Sequence, residues 1–382
     1  MRREDVPLES LRDWAEGCGR CLGDWFEAHR RDFRDLPLFE AGLDHLEAWR
    51  HNAERLGYTL MAVRMIWLQA YPAFHWGRYE DAKYDIERAL ALYETTAKAG
   101  TALQAHLLSD LATVNSKMGN NKEALTLGEQ ALAIRRELHG ENHSDTAMSL
   151  ANVASFYSQV GKRDKAMEFG QQALAIRRKL FGNEHLDTAA SLSNVASYHY
   201  MLGEHDVALG LGQQALDIHH KLLGNDHPDA ARSLANFALY HNKLGKHDKS
   251  LELGFQALTI LRKLLGEEHP ITATSLNNVS TYFTDLHKHN EAVEFSQQAL
   301  VIQRKLLGDA HPDTTLSQHN LIRCLIRINK KSEAIQYFHA QFKRMKSGDP
   351  YYQDFLVLRA DLFPGSFRNK PTQKPGKGKK HR

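Results

Sequence analysis

Histidine and asparagine are the residues whose spacing in this chain invites a chemical reading. Histidine recurs at 143, 185, 227, 269 and 311, within a total of 22, which raises the question of a metal. Zinc needs every ligand about 2.0 to 2.1 Å from one point. A residue that returns once per structural unit stands about a helix spacing, roughly 8 to 10 Å, from its counterpart. These histidines are therefore expected in loops that precede helices, and neither a metal nor any other cofactor is expected. Cys18-Gly19-Arg20-Cys21 is a lone CxxC with no second pair and no strand before it, so it supports neither a zinc site nor a redox motif. No GxxxxGK[ST] and no GxSxG occurs; a P-loop and a nucleophile elbow are thus not read, and no catalytic residue is assigned.

Asparagine occupies 152, 194, 236, 278 and 320, and serine occupies 149, 191, 233, 275 and 317. An amide side chain carries an acceptor and a donor together, the complement of what an extended peptide backbone presents. The same periodicity also suits an asparagine that bonds a neighbouring helix and holds the repeat geometry. The serines, three residues before each asparagine, are small enough to permit close helix approach.

The elements that must position these residues follow from an internal repeat. Ala-Leu recurs at 89/90, 131/132, 173/174, 215/216, 257/258 and 299/300, every step being 42. From the second copy onward a glycine follows nine residues after each Ala, at 140, 182, 224, 266 and 308. After runs such as ALAIRRKLF it reads as a helix stop in the left-handed conformation, which costs glycine nothing sterically. The next helix opens with H-[PSL]-[DI], where proline suits the first helical position and an acid suits the positive helix end. Leu150, Val153, Ala154 and Tyr157 recur in kind as Leu192, Val195, Ala196 and His199, spacings of three and four that make one apolar stripe. A second glycine, at 77, 119, 161, 203 and 245, turns the chain into a second helix, where Ala82, Ala124, Ala166, Ala208, Ala292 and Ala334 mark close contact. Each unit is two helices, and no strand signal interrupts the series.

With blocks such as HPDAARSLANFALYHNKLGKHDKSLELGFQALTILRKLLG, the sequence resembles tetratricopeptide repeats, specifically the 42-residue kind of kinesin light chains and many bacterial repeat proteins. The resemblance implies an all-α fold, a right-handed α-solenoid of antiparallel helix pairs, with the first helix of each pair lining a concave groove. It also implies that Asn152, Asn194, Asn236, Asn278 and Asn320 contact the backbone of a bound peptide, as the matching asparagines do in kinesin light chains. Counterparts about 10 Å apart match three residues of extended peptide at roughly 3.3 Å each. Specificity would then come from variable positions on the same face: Ser155, Ser197, Leu239, Thr281 and Arg323, with Gln159, Met201, Lys243, Asp285 and Arg327 one turn on. One departure from the family is Gly128, Gly170, Gly212, Gly254 and Ser296 in mid-helix. A helical glycine costs about 1 kcal/mol relative to alanine, and close approach by Phe156, Tyr198, Tyr240 or Tyr282 is the expected offset. The basic residues Arg135-Arg136, Arg177-Arg178-Lys179, Lys221, Arg262-Lys263 and Arg304-Lys305 fall in last turns, where they are expected to offset the helix dipole.

The chain divides on this reading into a divergent helical cap (1–58, around Trp14, Trp25, Phe26, Leu43, Leu46 and Trp49), the repeat array (59–342), a C-terminal capping helix (343–364) and a disordered basic tail (365–382). The tail holds seven Lys or Arg and no acid, which leaves 42 basic against 46 acidic residues, or −4, on the remainder. Such a body is no general nucleic-acid surface. Three scattered cysteines suit a reducing, cytoplasmic setting, and the polar start of the chain does not read as a signal peptide. Residues 57–74, interrupted by Arg64 and Gln69, read as a buried solenoid helix rather than a membrane span. The expected function is a protein-interaction scaffold for a protein or peptide partner. Two alternatives are a sensor module related to signal-transduction NTPases, whose ends WLQAYPAFHWGRYEDA is similar to, and association of the basic tail with an anionic surface or nucleic acid.

Overall fold

The computed structural model describes residues 59–96, 99–347, 349 and 351–363, together with the single positions Glu47, Arg50, His51 and Ala53. Apart from those four positions, the residues read as a cap (1–58), the CxxC and the basic tail lie outside the described residues. Within them the chain runs through α1 (Thr59–His75), α2 (Tyr79–Glu94), α3 (Ala102–Lys117), α4 (Asn121–His139), α5 (Ser144–Gln159), α6 (Arg163–Phe181), α7 (Leu186–Met201), α8 (His205–Leu223), α9 (Pro228–Lys243), α10 (His247–Leu265), α11 (Pro270–Asp285), α12 (His289–Leu307), α13 (Pro312–Arg327), α14 (Lys331–Phe342) and α15 (Tyr352–Leu362). No strand occurs among the described residues. Consecutive helices contact one another along the whole series, the arrangement of an α-solenoid of antiparallel pairs. No described helix is long and apolar enough to cross a membrane.

Helix starts depend on the recurrent histidine. Nδ1 of His143, His185, His227, His269 and His311 accepts the backbone N–H two residues on, at 3.1 to 3.2 Å, so each is an N-cap. The expectation of plain loop residues thus missed half of their role. Pro228, Pro270 and Pro312 take the first helical position behind three of these caps. Helices α4, α6, α8, α10 and α12 stop at Gly140, Gly182, Gly224, Gly266 and Gly308, whose φ lies between 77° and 85° while ψ lies within about 10° of 180°. That is the extended positive-φ region open essentially to glycine alone, not the left-handed helical one read from the sequence.

The core is a string of clusters that follow one another along the array, as a solenoid requires. Ala82, Ala124, Ala166, Ala208, Ala292 and Ala334 are fully buried. A Cβ added at Gly128, Gly170, Gly212 or Gly254 would stand 2.6 to 2.8 Å from the ring of Phe156, Tyr198, Tyr240 or Tyr282 respectively. In the repeat where Ser296 replaces glycine, Cys324 takes the register position of the aromatic ring and the Ser296 hydroxyl bonds Ser280 at 2.5 Å.

Two basic residues break the dipole reading. Arg135 and Arg177 are buried, and their Nη1 groups donate to Ser149 and Ser191 at 2.7 and 2.9 Å. His219 bonds Ser233 at 2.8 Å, and Ser317 donates to Gln303 at 2.6 Å, always across 14 residues. Four of the five ladder serines thereby form a buried polar lock between the end of one pair and the start of the next, while Ser275 has Leu261 at the partner position. Lys221, Lys263 and Lys305 do lie at the surface, paired with Glu184, Asp226 and Glu268 of the preceding repeat. At the far end α15 seats Phe355, Leu358 and Leu362 among Phe338 and Leu325 of α14 and α13.

The coil also returns on itself. Nε2 of His269 lies 2.8 Å from the carbonyl oxygen of His75, and Nε2 of His311 lies 2.6 Å from that of Lys117, each pair being 194 residues apart.

Candidate peptide-binding wall

Odd-numbered helices touch the next odd-numbered helix as well as their sequence neighbours, from α3 on α5 through to α11 on α13. They therefore form the inner wall of the coil. Side chains stitch this wall at an offset of 43 residues: Trp67 to Asp110 at 2.7 Å, Ser116 to Gln159 at 2.7 Å, Ser197 with the Tyr240 hydroxyl at 3.0 Å, and Asn242 to Asp285 at 2.6 Å.

All five ladder asparagines are half-buried on these helices, but the ladder is not uniform. The Asn152 amide donates to Ser109 at 3.3 Å, and that of Asn320 to Asn277 at 3.1 Å. The side-chain amides of Asn194, Asn236 and Asn278 make no hydrogen bond among the described residues. The residue 43 positions earlier explains the division. It is Ser109 or Asn277 for the bonded pair, but Ala151 for Asn194 and Ala235 for Asn278. For Asn236 it is Ser193, whose hydroxyl lies 3.4 Å from that of Ser233 instead.

The remaining positions named from the sequence also separate. Ser197 donates to the Ser193 carbonyl and meets Tyr240, and Thr281 donates to the Asn277 carbonyl, so both hydroxyls serve the wall itself. Ser155 is half-buried, while Lys243 and Arg323 are exposed. Asp110, one period before Asn152, holds the ladder position of α3; the 42-residue register identifies it once Trp67 is seen as its partner. Trp67, Tyr71, Phe74 and His75 of α1 line a cavity of about 190 Å³ with Asp110, Thr113 and Val114 of α3. Burial, then nearby His269, pushes His75 down to about 4. Lys117 keeps its contact with water, yet burial foremost and Arg232 of α9 lower its ammonium pKa, against the opposing pull of Asp313 of α13.

One group of metal-type ligands stands outside this wall. His139, His143 and Asp145 bring ligand atoms within 4.8 Å of one another. The two rings stack at 4.3 Å and 18°, so their lone pairs do not converge, and Nδ1 of His143 already serves as the cap of α5.

Two solved structures share this architecture. A Rap protein complexed with competence and sporulation factor aligns at a TM-score of 0.60 and 15% identity, over 92% of this chain and 97% of that one. The Rap conjugation gene regulator of plasmid pLS20, in complex with the Phr* peptide, aligns at 0.59 and 11%, over 82% and 77%. A kinesin light chain of nearly identical TPR-like repeats from Podosopora anserina is 27% identical, at a TM-score of 0.43 over 57% and 97%. No curated protein matches. The tetratricopeptide repeat model matches five overlapping stretches, 73–137, 103–179, 145–220, 187–263 and 234–300, and with helix pairs, caps and register all following that period, the chain belongs to the tetratricopeptide repeat family.

Proposed function

We propose that the chain is a protein-interaction scaffold that holds an extended peptide along its inner wall, with Asn194, Asn236 and Asn278 bonding the peptide backbone. The observation that carries this reading is the division of the ladder. Two asparagines spend their amides on the neighbouring helix, whereas the three between them keep donor and acceptor free on the same face. A half-buried amide gains most from a partner that brings both complementary groups. Two neighbours of like fold are peptide or factor complexes by their descriptions, which supports the reading.

The experiment compares two sets of substitutions. Replacing Asn194, Asn236 and Asn278 together by alanine removes up to about 0.5 to 1.5 kcal/mol of binding per bond, with thermal stability retained. Replacing Asn152 and Asn320 breaks wall bonds of similar worth and lowers the melting temperature. Capture of peptides from a random library and thermal unfolding, measured on the same preparations, decide the matter. A triple variant that melts early, or one that captures peptides unchanged, removes the proposal.

A further inference from the structure

We infer that this wall is enclosed, because the first turn of the coil is clasped to the second by two His-Pro rungs, and that its partner is therefore a linear peptide with a free end rather than a folded domain. The inference rests on the peptide-binding reading above for the partner, and on geometry alone for the clasp.

Each rung has the same construction. Nδ1 of His269 accepts the N–H of Ile271, so the proton of this neutral ring sits on Nε2 and is donated to the His75 carbonyl at 2.8 Å. One period on, His311 accepts from Asp313 and donates to the Lys117 carbonyl at 2.6 Å. The prolines that follow fill the turns behind those carbonyls. Pro270 lies against Gly77, and Pro312 against Gly119, so closely that an added Cβ would fall 2.7 and 2.9 Å from the proline rings. Gly161, Gly203 and Gly245 occupy the same turn in other repeats with nothing within 4 Å. Among the described residues, close seating is thus confined to the two turns that meet the returning coil. His75 and Lys117 end the inner helices α1 and α3, while His269 and His311 begin the inner helices α11 and α13. The rungs therefore join the rims of the inner wall, and a ligand lying along the free asparagines between them is surrounded.

The clasp is tested by scattering. Gly77→Leu with Gly119→Leu drives side chains into the prolines; Gly161→Leu with Gly245→Leu imposes the same positive-φ strain, near 75° to 84°, where there is no neighbour. The first pair is expected to shift the solution pair-distance distribution to longer distances, and the second to leave it as in the wild type. His269→Asn with His311→Asn, which keeps a capping side chain but loses the reach of Nε2, should reproduce the opening, with His143→Asn and His185→Asn as its control. Identical distributions for all variants would overturn the clasp. The partner is tested with random peptides of about twelve residues, long enough at roughly 3.3 Å each to pass the three free asparagines. They are displayed either with one end free or with both ends fixed in a loop of a folded carrier. Wild type should retain the free-ended format alone, and the opened variants both. Equal retention of both by wild type would overturn enclosure. Retention of neither would instead remove the peptide reading of the wall, and the scattering comparison would still decide the clasp.

Discussion

At the scale of single residues, the glycines inside the even-numbered helices show how a position can be unfavourable locally and required by packing. Gly170→Ala should gain up to about 1 kcal/mol of helix propensity but place a methyl carbon 2.6 Å from the buried Tyr198 ring. Overpacking costs about 1 to 3 kcal/mol, so chemical denaturation should report a net loss. Gly210→Ala in α8, with nothing within 4 Å, should be stabilising in the same assay. His219 gives a second residue-scale test. Burial pushes its pKa down to about 4, below the unfolded value of 6.5, so the unfolded chain takes up the proton first. Stability from this group is complete above pH 6.5 and is lost as pH falls from there towards 4, with a slope approaching about 1 kcal/mol per pH unit. Gln303 fills the equivalent position and bonds Ser317. His219→Gln should therefore keep the lock with Ser233 and flatten the dependence between pH 7 and 5, measured by denaturation midpoints.

At the scale of elements, the caps were the part of the histidine ladder that spacing alone did not disclose. The period placed His185 before a helix, and its neighbour Asp187 suggested the helix end, but a ring nitrogen accepting the N–H two residues on needs a χ angle that sequence does not carry. His185→Ala should cost about 0.5 to 2 kcal/mol, and His185→Asn should restore most of it. Amide exchange in the first turn of α7 reads both. The close approach of Tyr198 to Gly170 and the helix pairing itself were legible, because a 42-residue register repeats packing along with sequence. Burial of Arg135 and Arg177 was not, since the charge pattern matched a surface last turn and only the facing serine, 14 residues away, distinguishes the two cases. The division of the asparagine ladder lay in the sequence as Ala151 and Ala235 against Ser109 and Asn277, but became readable only once the offset of 43 was known.

At the scale of the whole molecule, a solenoid ordinarily senses a change only through adjacent repeats. The rungs add a route between repeats that are distant in the chain. His269→Asn with His311→Asn should therefore speed amide exchange in α1 and α2, 194 residues from the substitutions, while leaving α6 and α7 as they were. Exchange followed by mass spectrometry distinguishes this from general loosening, which would reach the central repeats too.

The seating of Pro270 on Gly77 and Pro312 on Gly119 has a mechanical sense as well. A coil whose turns are apart shortens or lengthens with similar ease. Here proline rings already rest on backbone, and close-packed protein matter yields little to further compression. Among the described residues extension breaks two histidine bonds, whereas contraction meets a hard stop. The pitch of the coil thus has a floor but no equally firm ceiling.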